Sequence, residues 1–388
     1  MNLKDLRIGQ FSDSYLPIMD GVAFTVRNYA YWLTRIQDKT YVITPSFPGY
    51  TDKEEFPVLR YFSTPLLVRK PYRMGIPDFD QHISHILKGI PLDLVHTHSP
   101  FSAGSLALKT ARRLNIPVVA TFHSKYRDDF GRFMHLKAML KQIARWIVTF
   151  YESADEVWIP QPHVEDTIRE YGYRGKLEVV ENGIDLEIPC NISEVRMQSR
   201  QALGIPADKP VLLYVGQLIL EKNLKFLVES LRNVNLADYS MFIVGEGYAR
   251  PVLERLAAEY GLSEKILFTG PVYDREKLSN YYAIADLFLF PSLYDNAPLV
   301  LREAAAMHTP ALLLEGSTAA EVISDGVNGF LSNNDPVLFA NKITEIMRTP
   351  RLKDSAGTMA AATLCHSWKD IVGEVHDRYL HLLKRKMG

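Results

Sequence analysis

The sequence predicts an α/β protein made of two doubly wound, parallel-sheet domains of the Rossmann-like kind. Three observations predict it. Short apolar runs suited to strands buried on both faces alternate with helical patterns over 388 residues. That alternation lapses in a polar stretch after Val179–Asp185 (VVENGID) and begins again at Val211. Third, 388 residues with 47% hydrophobic and 23% charged composition is long for one core and suits two of ordinary size. The expected domains are 1–185 and 186–366, with a terminal helix over 367–388. No unit of supersecondary length recurs, which excludes a solenoid.

In the first domain a strand is expected at Leu6–Phe11, then a loop with Pro17 and Gly21, then a helix to about Ile36. Gly21 is either an ordinary tight turn or a point where backbone approaches a ligand at the carboxyl edge of the sheet. Further strands are expected at Tyr41–Thr44, Val58–Tyr61, Leu94–Thr97, Val118–Phe122 and Glu156–Ile159, with a helix over Phe101–Leu114. His96, His98 and His123 fall at strand ends, where a histidine is either structural or faces a cleft. Their spacing lacks an H-x-x-x-H or carboxylate partner, so no zinc site is expected.

Arg132–Tyr151 reads as an amphipathic helix, with Leu136, Met139, Leu140, Ile143, Ile147 and Phe150 on one side and Lys137, Lys141 and Arg145 on the other. The basic side is either a solvated face or a surface for anionic lipid headgroups.

The second domain repeats the order. Strands are expected at Val211–Val215, Met241–Val244, Ile266–Phe268, Leu287–Phe290 and Ala311–Leu314, and helices from Asn223, Ala249 and Arg275. Parallel strands deliver their following loops to one edge. Those loops are GQLILEKN with Gly216, Gln217 and Lys222, VGEG with Gly245, Glu246 and Gly247, and FTGPV with Gly270 and Val272. Each alone is also ordinary turn chemistry between a strand and a helix. Together they suit phosphate, with Lys222 as the neutralising charge. After Leu287–Phe290 come Asp295 and Asn296 as expected cap residues, Ala297, Pro298 for a first helical turn, and a helix from Leu299 to Met307. The N–H groups of Leu299 and Val300 would then make an anion site, with Glu303 roughly 8 Å further along the axis. Glu315–Thr318 follows the next strand and is either a donor contact or a plain loop. Ser367–Lys386 is an amphipathic helix with Trp368, Ile371, Val375, Tyr379 and Leu382 apolar.

Several classes are excluded. A formal net charge of −1 implies no polyanion partner, so nucleic acid is not expected. Cys190 and Cys365 are too few for a disulfide framework. The start, MNLKDLRIGQ, has charges where a signal peptide needs an apolar core, and no run reaches a membrane span. A cytoplasmic protein is expected, peripheral on the inner face of the cell membrane if the basic helix meets lipid. No G-x-G-x-x-G or Walker sequence is present, so neither a dinucleotide cofactor nor ATP hydrolysis is expected.

Asp295-x7-Glu303 with Pro298 between them resembles the acidic E-x7-E motif of retaining GT-B glycosyltransferases of family 4, with aspartate in place of the first glutamate. DSYLPIMDGVA at the start and HSKYRDDF resemble the subgroup that glucosylates diacylglycerol. The resemblance implies two α/β domains facing across a cleft, with the terminal helix crossing back onto the first. It implies a UDP-sugar donor as co-substrate, transfer with retention, and neither cofactor nor metal. By the same resemblance Asp295 and His123 contact the donor sugar, Glu303 the ribose, Lys222 the diphosphate, the Gly245–Gly247 loop the nucleoside and the Val272 loop the base. Gly21 lies near the diphosphate and His98 on the acceptor side. The family usually has arginine at Gln217, so diphosphate binding would lean on Lys222. The acceptor is a lipid such as diacylglycerol, or else a polysaccharide or other glycan. A nucleotide-sugar-binding regulator without turnover and an epimerase stay open.

Overall fold

The computed structural model describes residues 6–36, 39–66, 71–126, 137–186, 188–293 and 295–387. The chain divides into two compact units, Met1–Gly183 together with Ser367–Gly388, and Ile184–His366.

In the first unit the strands are β1 (Arg7–Phe11), β2 (Lys39–Pro45), β3 (Val58–Tyr61), β4 (Ser63–Pro65), β5 (Arg73–Gly75), β6 (Leu94–Thr97), β7 (Val118–Thr121), β8 (Glu156–Ile159) and β9 (Glu178–Val179). Among the described residues, seven of them form one parallel sheet in the order β3-β2-β1-β6-β7-β8-β9. The order reverses between β1 and β6, the place where loops on the carboxyl edge part to either face. β4 and β5 form a separate antiparallel hairpin that the sequence reading does not contain, because three-residue strands are too short to show a period. The helix Gln81–Gly89 was likewise not anticipated.

Helix Gly21–Arg35 is capped by Asp20, whose carboxylate accepts from the Ala23 N–H at 2.8 Å. A side chain at Gly21 would meet open space, so this glycine is not required by a close approach. The terminal helix, Trp368–Met387, packs against Gly21–Arg35 and buries Trp368, Val375, Tyr379 and Leu382. Tyr379 stacks on Trp158 with ring centroids 5.5 Å apart.

The second unit has β10 (Val211–Val215), β11 (Ser240–Val244), β12 (Ile266–Gly270), β13 (Leu287–Phe290), β14 (Ala311–Leu314) and β15 (Phe330–Ser332), parallel in the order β12-β11-β10-β13-β14-β15. β10, β11, β13 and β14 are buried along their whole length, as strands covered by helices on both faces must be. β15 was not foreseen. Here the order reverses between β10 and β13, which makes that junction the natural ligand crevice. Among the described residues no helix is long and apolar enough to cross a membrane.

Candidate active site

The second unit carries most of the polar groups singled out from sequence. At the carboxyl edge the loops after β10, β11 and β12 are joined backbone to backbone. The Gly216 N–H donates to Val244 O at 3.0 Å, Leu218 N–H to Glu246 O at 2.8 Å, Ala249 N–H to Leu218 O at 2.9 Å, and Gly245 N–H to Gly270 O at 3.0 Å. This closeness explains two glycines. A Cβ on Gly245 would collide with Gly216 O and one on Gly247 with Leu218 O, and Gly245 has φ of 142° besides. The Glu246 side chain is exposed, Gln217 is half-buried with its carbonyl accepting from Tyr214 Oη at 3.2 Å, and Val272 packs against the core.

Lys222 ends a short 3-10 turn, Leu220–Lys222, and Asn223 at φ of 59° starts the helix Leu224–Leu231. The Asn223 amide donates to Pro291 O at 3.3 Å, which ties this loop to the one after β13 across the crevice. The Lys222 ammonium pairs there with Asp295 Oδ1. Asp295 Oδ2 is buried and has no hydrogen-bond partner among the described residues. An orphaned buried carboxylate oxygen costs on the order of 1–3 kcal/mol, which a hydrogen-bond donor brought to it would recover.

Two expectations at this loop are corrected. Pro298, not Asp295 or Asn296, is the N-cap of helix Leu299–Ala306, and no side chain caps it. Asp295 cannot cap because its carboxylate is turned to Lys222; Pro298 stands outside the first turn with an extended backbone (ψ of 124°). Ala297 is half-buried and Asn296 buried beside it. Leu299 and Val300 remain the first helical residues, whose N–H groups precede any intrahelical carbonyl.

Glu303 is buried on that helix and firmly held. It accepts from Arg275 at 2.6 Å and from the Tyr282 hydroxyl at 2.7 Å, and Arg275 also pairs with Asp185. Burial and the Glu303 charge raise the Tyr282 phenol well above its ordinary value, so it stays a donor. Burial lowers the Arg275 pKa, yet Glu303 and Asp185 more than offset this and raise it. Sequence reasoning missed Asp185, Arg275 and Tyr282, although Asp185 stands in the quoted VVENGID and Arg275 opens the helix after the FTGPV loop.

In the first unit the half-buried Asp13 closes the junction between β1 and β6. Its carboxylate accepts from Ser102 Oγ, from Ser99 Oγ at 2.6 Å, from Tyr61 Oη at 3.4 Å and from the Ala103 N–H at 3.1 Å. Burial raises its pKa against those four donors. The sequence reading did not single it out.

The three histidines form one hydrogen-bonded row with three further side chains. Thr121 Oγ1 lies 2.7 Å from His96 Nε2, His96 Nδ1 lies 2.5 Å from Tyr379 Oη, and Gln10 Nε2 donates to that hydroxyl at 3.3 Å. Gln10 Oε1 lies 2.7 Å from His98 Nε2, and His98 Nδ1 lies 3.0 Å from His123 Nε2. Burial holds all three imidazoles neutral, with His123 lowered to about 3. His96 and His98 are fully buried, whereas His123 is half-buried at the carboxyl edge.

The helix expected over Arg132–Tyr151 is described over Lys137–Glu152; residues 132–136 and the Lys137 side chain lie outside the described residues. Lys141 and Arg145 are exposed. Met139, expected on the buried side, is 46% exposed, as is Trp146, which stacks on Phe101 at 5.9 Å. Among the described residues no group of three His, Cys, Asp or Glu side chains could hold a metal ion.

Two doubly wound sheets, each with its loops gathered at a topological switch, define the GT-B class of glycosyltransferase. A family model for "Glycosyltransferase Family 4" matches residues 19–188 and one for "Glycosyl transferases group 1" matches residues 195–362. The two together span most of the chain, which belongs to the GT-B glycosyltransferases of family-4 type. It is similar to the alpha-monoglucosyldiacylglycerol synthase of Acholeplasma laidlawii, at 29% identity over 89% of each chain. It is also similar to the synthase of that name from Streptococcus pneumoniae, at 26% identity over 97% of this chain and 86% of the other. Among solved structures, sucrose-phosphate synthase from Thermosynechococcus elongatus superposes with a TM-score of 0.82 at 21% identity, covering 98% of this chain and 100% of that one. Anabaena HepE in complex with UDP-glucose superposes with a TM-score of 0.76 at 17% identity over the same shares. These two likenesses speak to the fold.

Proposed function

We propose that the chain transfers glucose from UDP-glucose to a diacylglycerol-type lipid at an anionic membrane surface, with retention and without a metal or other cofactor. The observation that carries the donor half is Asp295 at the β10/β13 junction, with one carboxylate oxygen on Lys222 and the other orphaned. A sugar hydroxyl supplies the missing donor to Oδ2. The diphosphate is met by Lys222 and the Leu299 and Val300 N–H groups, preorganised positive charge and dipoles that stabilise the leaving group. Glu303, fixed by Arg275 and Tyr282, keeps an oriented carboxylate for the ribose hydroxyls, and the Gly245–Gly247 and Val272 loops line the nucleoside. His123 meets the sugar and Gly21 the diphosphate side, whereas His98, expected on the acceptor side, is fully buried with both ring nitrogens bonded and stands behind His123. With no nucleophile among these groups, the acceptor attacks from the face the phosphate leaves, and the leaving phosphate takes its proton.

The lipid half rests on the two similar diacylglycerol glucosyltransferases and on helix Lys137–Glu152. Lys141 and Arg145 offer charge to anionic headgroups, and Trp146 and Met139 offer apolar tips beside them, the combination an interfacial helix needs. Mass-resolved product analysis tests the whole reading. The purified chain is incubated with UDP-glucose, UDP-galactose and UDP-GlcNAc, with and without diacylglycerol in anionic vesicles. A glucosylated lipid is expected. UDP release without glycolipid would remove the acceptor, and UDP binding without any turnover would leave a nucleotide-sugar-binding regulator.

A further inference from the structure

The row of side chains from Gln10 through His98 to His123 permits only two arrangements of its protons. An amide presents an acceptor oxygen on one side and donor hydrogens on the other, and a neutral imidazole has one donor and one acceptor nitrogen. With Gln10 Oε1 facing His98 Nε2 at 2.7 Å, that nitrogen must carry the proton. His98 Nδ1 is then an acceptor, and the His123 Nε2 that lies 3.0 Å away must be the donor. On the other side Gln10 Nε2 donates to Tyr379 Oη, which also lies 2.5 Å from His96 Nδ1. Turning the Gln10 amide over reverses the His98 and His123 protons together. The choice between the two is therefore made at Gln10 and passed along to His123.

Burial makes the relay stiff. Gln10, His96, His98 and Tyr379 are all 0% exposed, so water cannot replace a broken link. The rings are also clamped by neighbours. His96 and His98 lie 4.1 Å apart, His98 and His123 stack at 5.3 Å, and Tyr379 stacks on Trp158. Gln10 and His96 face each other in register on β1 and β6, whereas Tyr379 comes from the terminal helix.

We propose that this relay holds His123 with its proton on Nε2, which makes Gln10, His98 and Tyr379 positioning residues for sugar transfer and the terminal helix part of the transfer machinery. The proposal rests on the reading in which His123 meets the donor sugar: a ring held in one tautomer and one orientation presents the same nitrogen to a sugar hydroxyl at every turnover. Sequence reading took Tyr379 for an apolar anchor of its helix and gave Gln10 no role.

The test is nitrogen NMR of the histidine side chains in the full chain labelled with 15N-histidine, combined with steady-state kinetics and UDP binding. In the unsubstituted protein His98 and His123 should each show one neutral tautomer, protonated on Nε2. Tyr379→Phe keeps the stack on Trp158 and removes the hydroxyl; His123 should then show both tautomers, with kcat lowered about tenfold or more and UDP affinity unchanged. His98→Asn, whose side-chain oxygen stands near the place of Nδ1, should restore the single His123 tautomer and most of kcat relative to His98→Leu, so the question stays answerable if Tyr379→Phe does not fold. An unaltered His123 tautomer in both Tyr379→Phe and His98→Leu would overturn the relay. A changed tautomer with unchanged kcat would leave the relay standing and overturn the role given to His123.

Discussion

The strand Leu287–Phe290 carries an aspartate beyond each end, and the two are used in opposite ways. Asp286, before the strand, is closed off. Its Oδ2 accepts from Arg200 and from the Val211 N–H, both at 2.9 Å, and its Oδ1 pairs with Lys353 at 2.6 Å. Asp295, in the loop after the strand, pairs with a single lysine and leaves one buried oxygen orphaned. The first arrangement is what a stable scaffold does with a buried carboxylate. The second leaves a buried carboxylate oxygen unsatisfied, and it stands at the carboxyl edge, where the sheet order reverses.

Substitutions should separate the two. Asp286→Ala leaves the buried Arg200 without its carboxylate and Lys353 with only Asp354 at 3.8 Å, and should destabilise the chain by about 3–5 kcal/mol in denaturant unfolding, while the folded fraction still binds UDP. Lys222→Ala should lower kcat by roughly 10²–10³-fold and weaken UDP binding in calorimetry, with a smaller stability loss. Equal stability losses at the two ends would erase the distinction between scaffold and site.

Acid should break the two units apart in order. His96, His98 and His123 are held neutral in the folded first unit, whereas the unfolded chain protonates them near 6.5. The folded state thus binds fewer protons below that value, and its stability is full above pH 6.5 and falls as pH drops, by about 1.4 kcal/mol per unit for each fully buried histidine, His96 and His98. In the second unit burial pushes the Asp286 carboxyl up, but Lys353, the Val211 N–H and Arg200 outweigh it and hold the pKa below the ordinary 3.8. That contribution is present above pH ~4 and is lost only as pH falls through the lowered value. Tryptophan fluorescence favours the first unit, which holds Trp158 and Trp368, and should report its acid transition at higher pH than UDP-binding loss reports for the second. The smallest effect belongs to the surface: Lys141→Glu with Arg145→Glu should weaken binding to anionic vesicles by about 1 kcal/mol per charge and leave UDP affinity unchanged.

The legible and illegible parts of this fold differ in range. Val211–Val215, Leu287–Phe290 and Ala311–Leu314 could be delimited because each is an apolar run with clear breaks at its ends, and Val58–Tyr61, Leu94–Thr97 and Glu156–Ile159 because each is a short, mostly apolar or β-prone stretch between turn or helical patterns. The three-residue strands β4, β5 and β15 offered no such run. At the site, Lys222 and Asp295 were visible because both follow strands of one parallel sheet, but their pairing across 73 residues was not. Arg275 and Tyr282 lie 28 and 21 residues from the Glu303 they hold, and Tyr379 lies 283 from His96. Such contacts are set by tertiary packing, which leaves no period in the chain. Pro298 shows the reverse error: a residue well suited to a first helical turn was displaced to the cap because the preceding aspartate serves the ion pair instead.

The central claim is that Asp295 is kept incompletely bonded in order to receive the donor sugar, and Asp295→Asn tests it most directly. The substitution keeps the shape, removes the charge that competes for Lys222, and weakens the acceptor offered to the sugar. Measured by calorimetry for UDP and by turnover of UDP-glucose, it should leave UDP bound as tightly as before or more tightly while kcat falls about a hundredfold. Weaker UDP binding with kcat intact would contradict the account and return Asp295 to the scaffold.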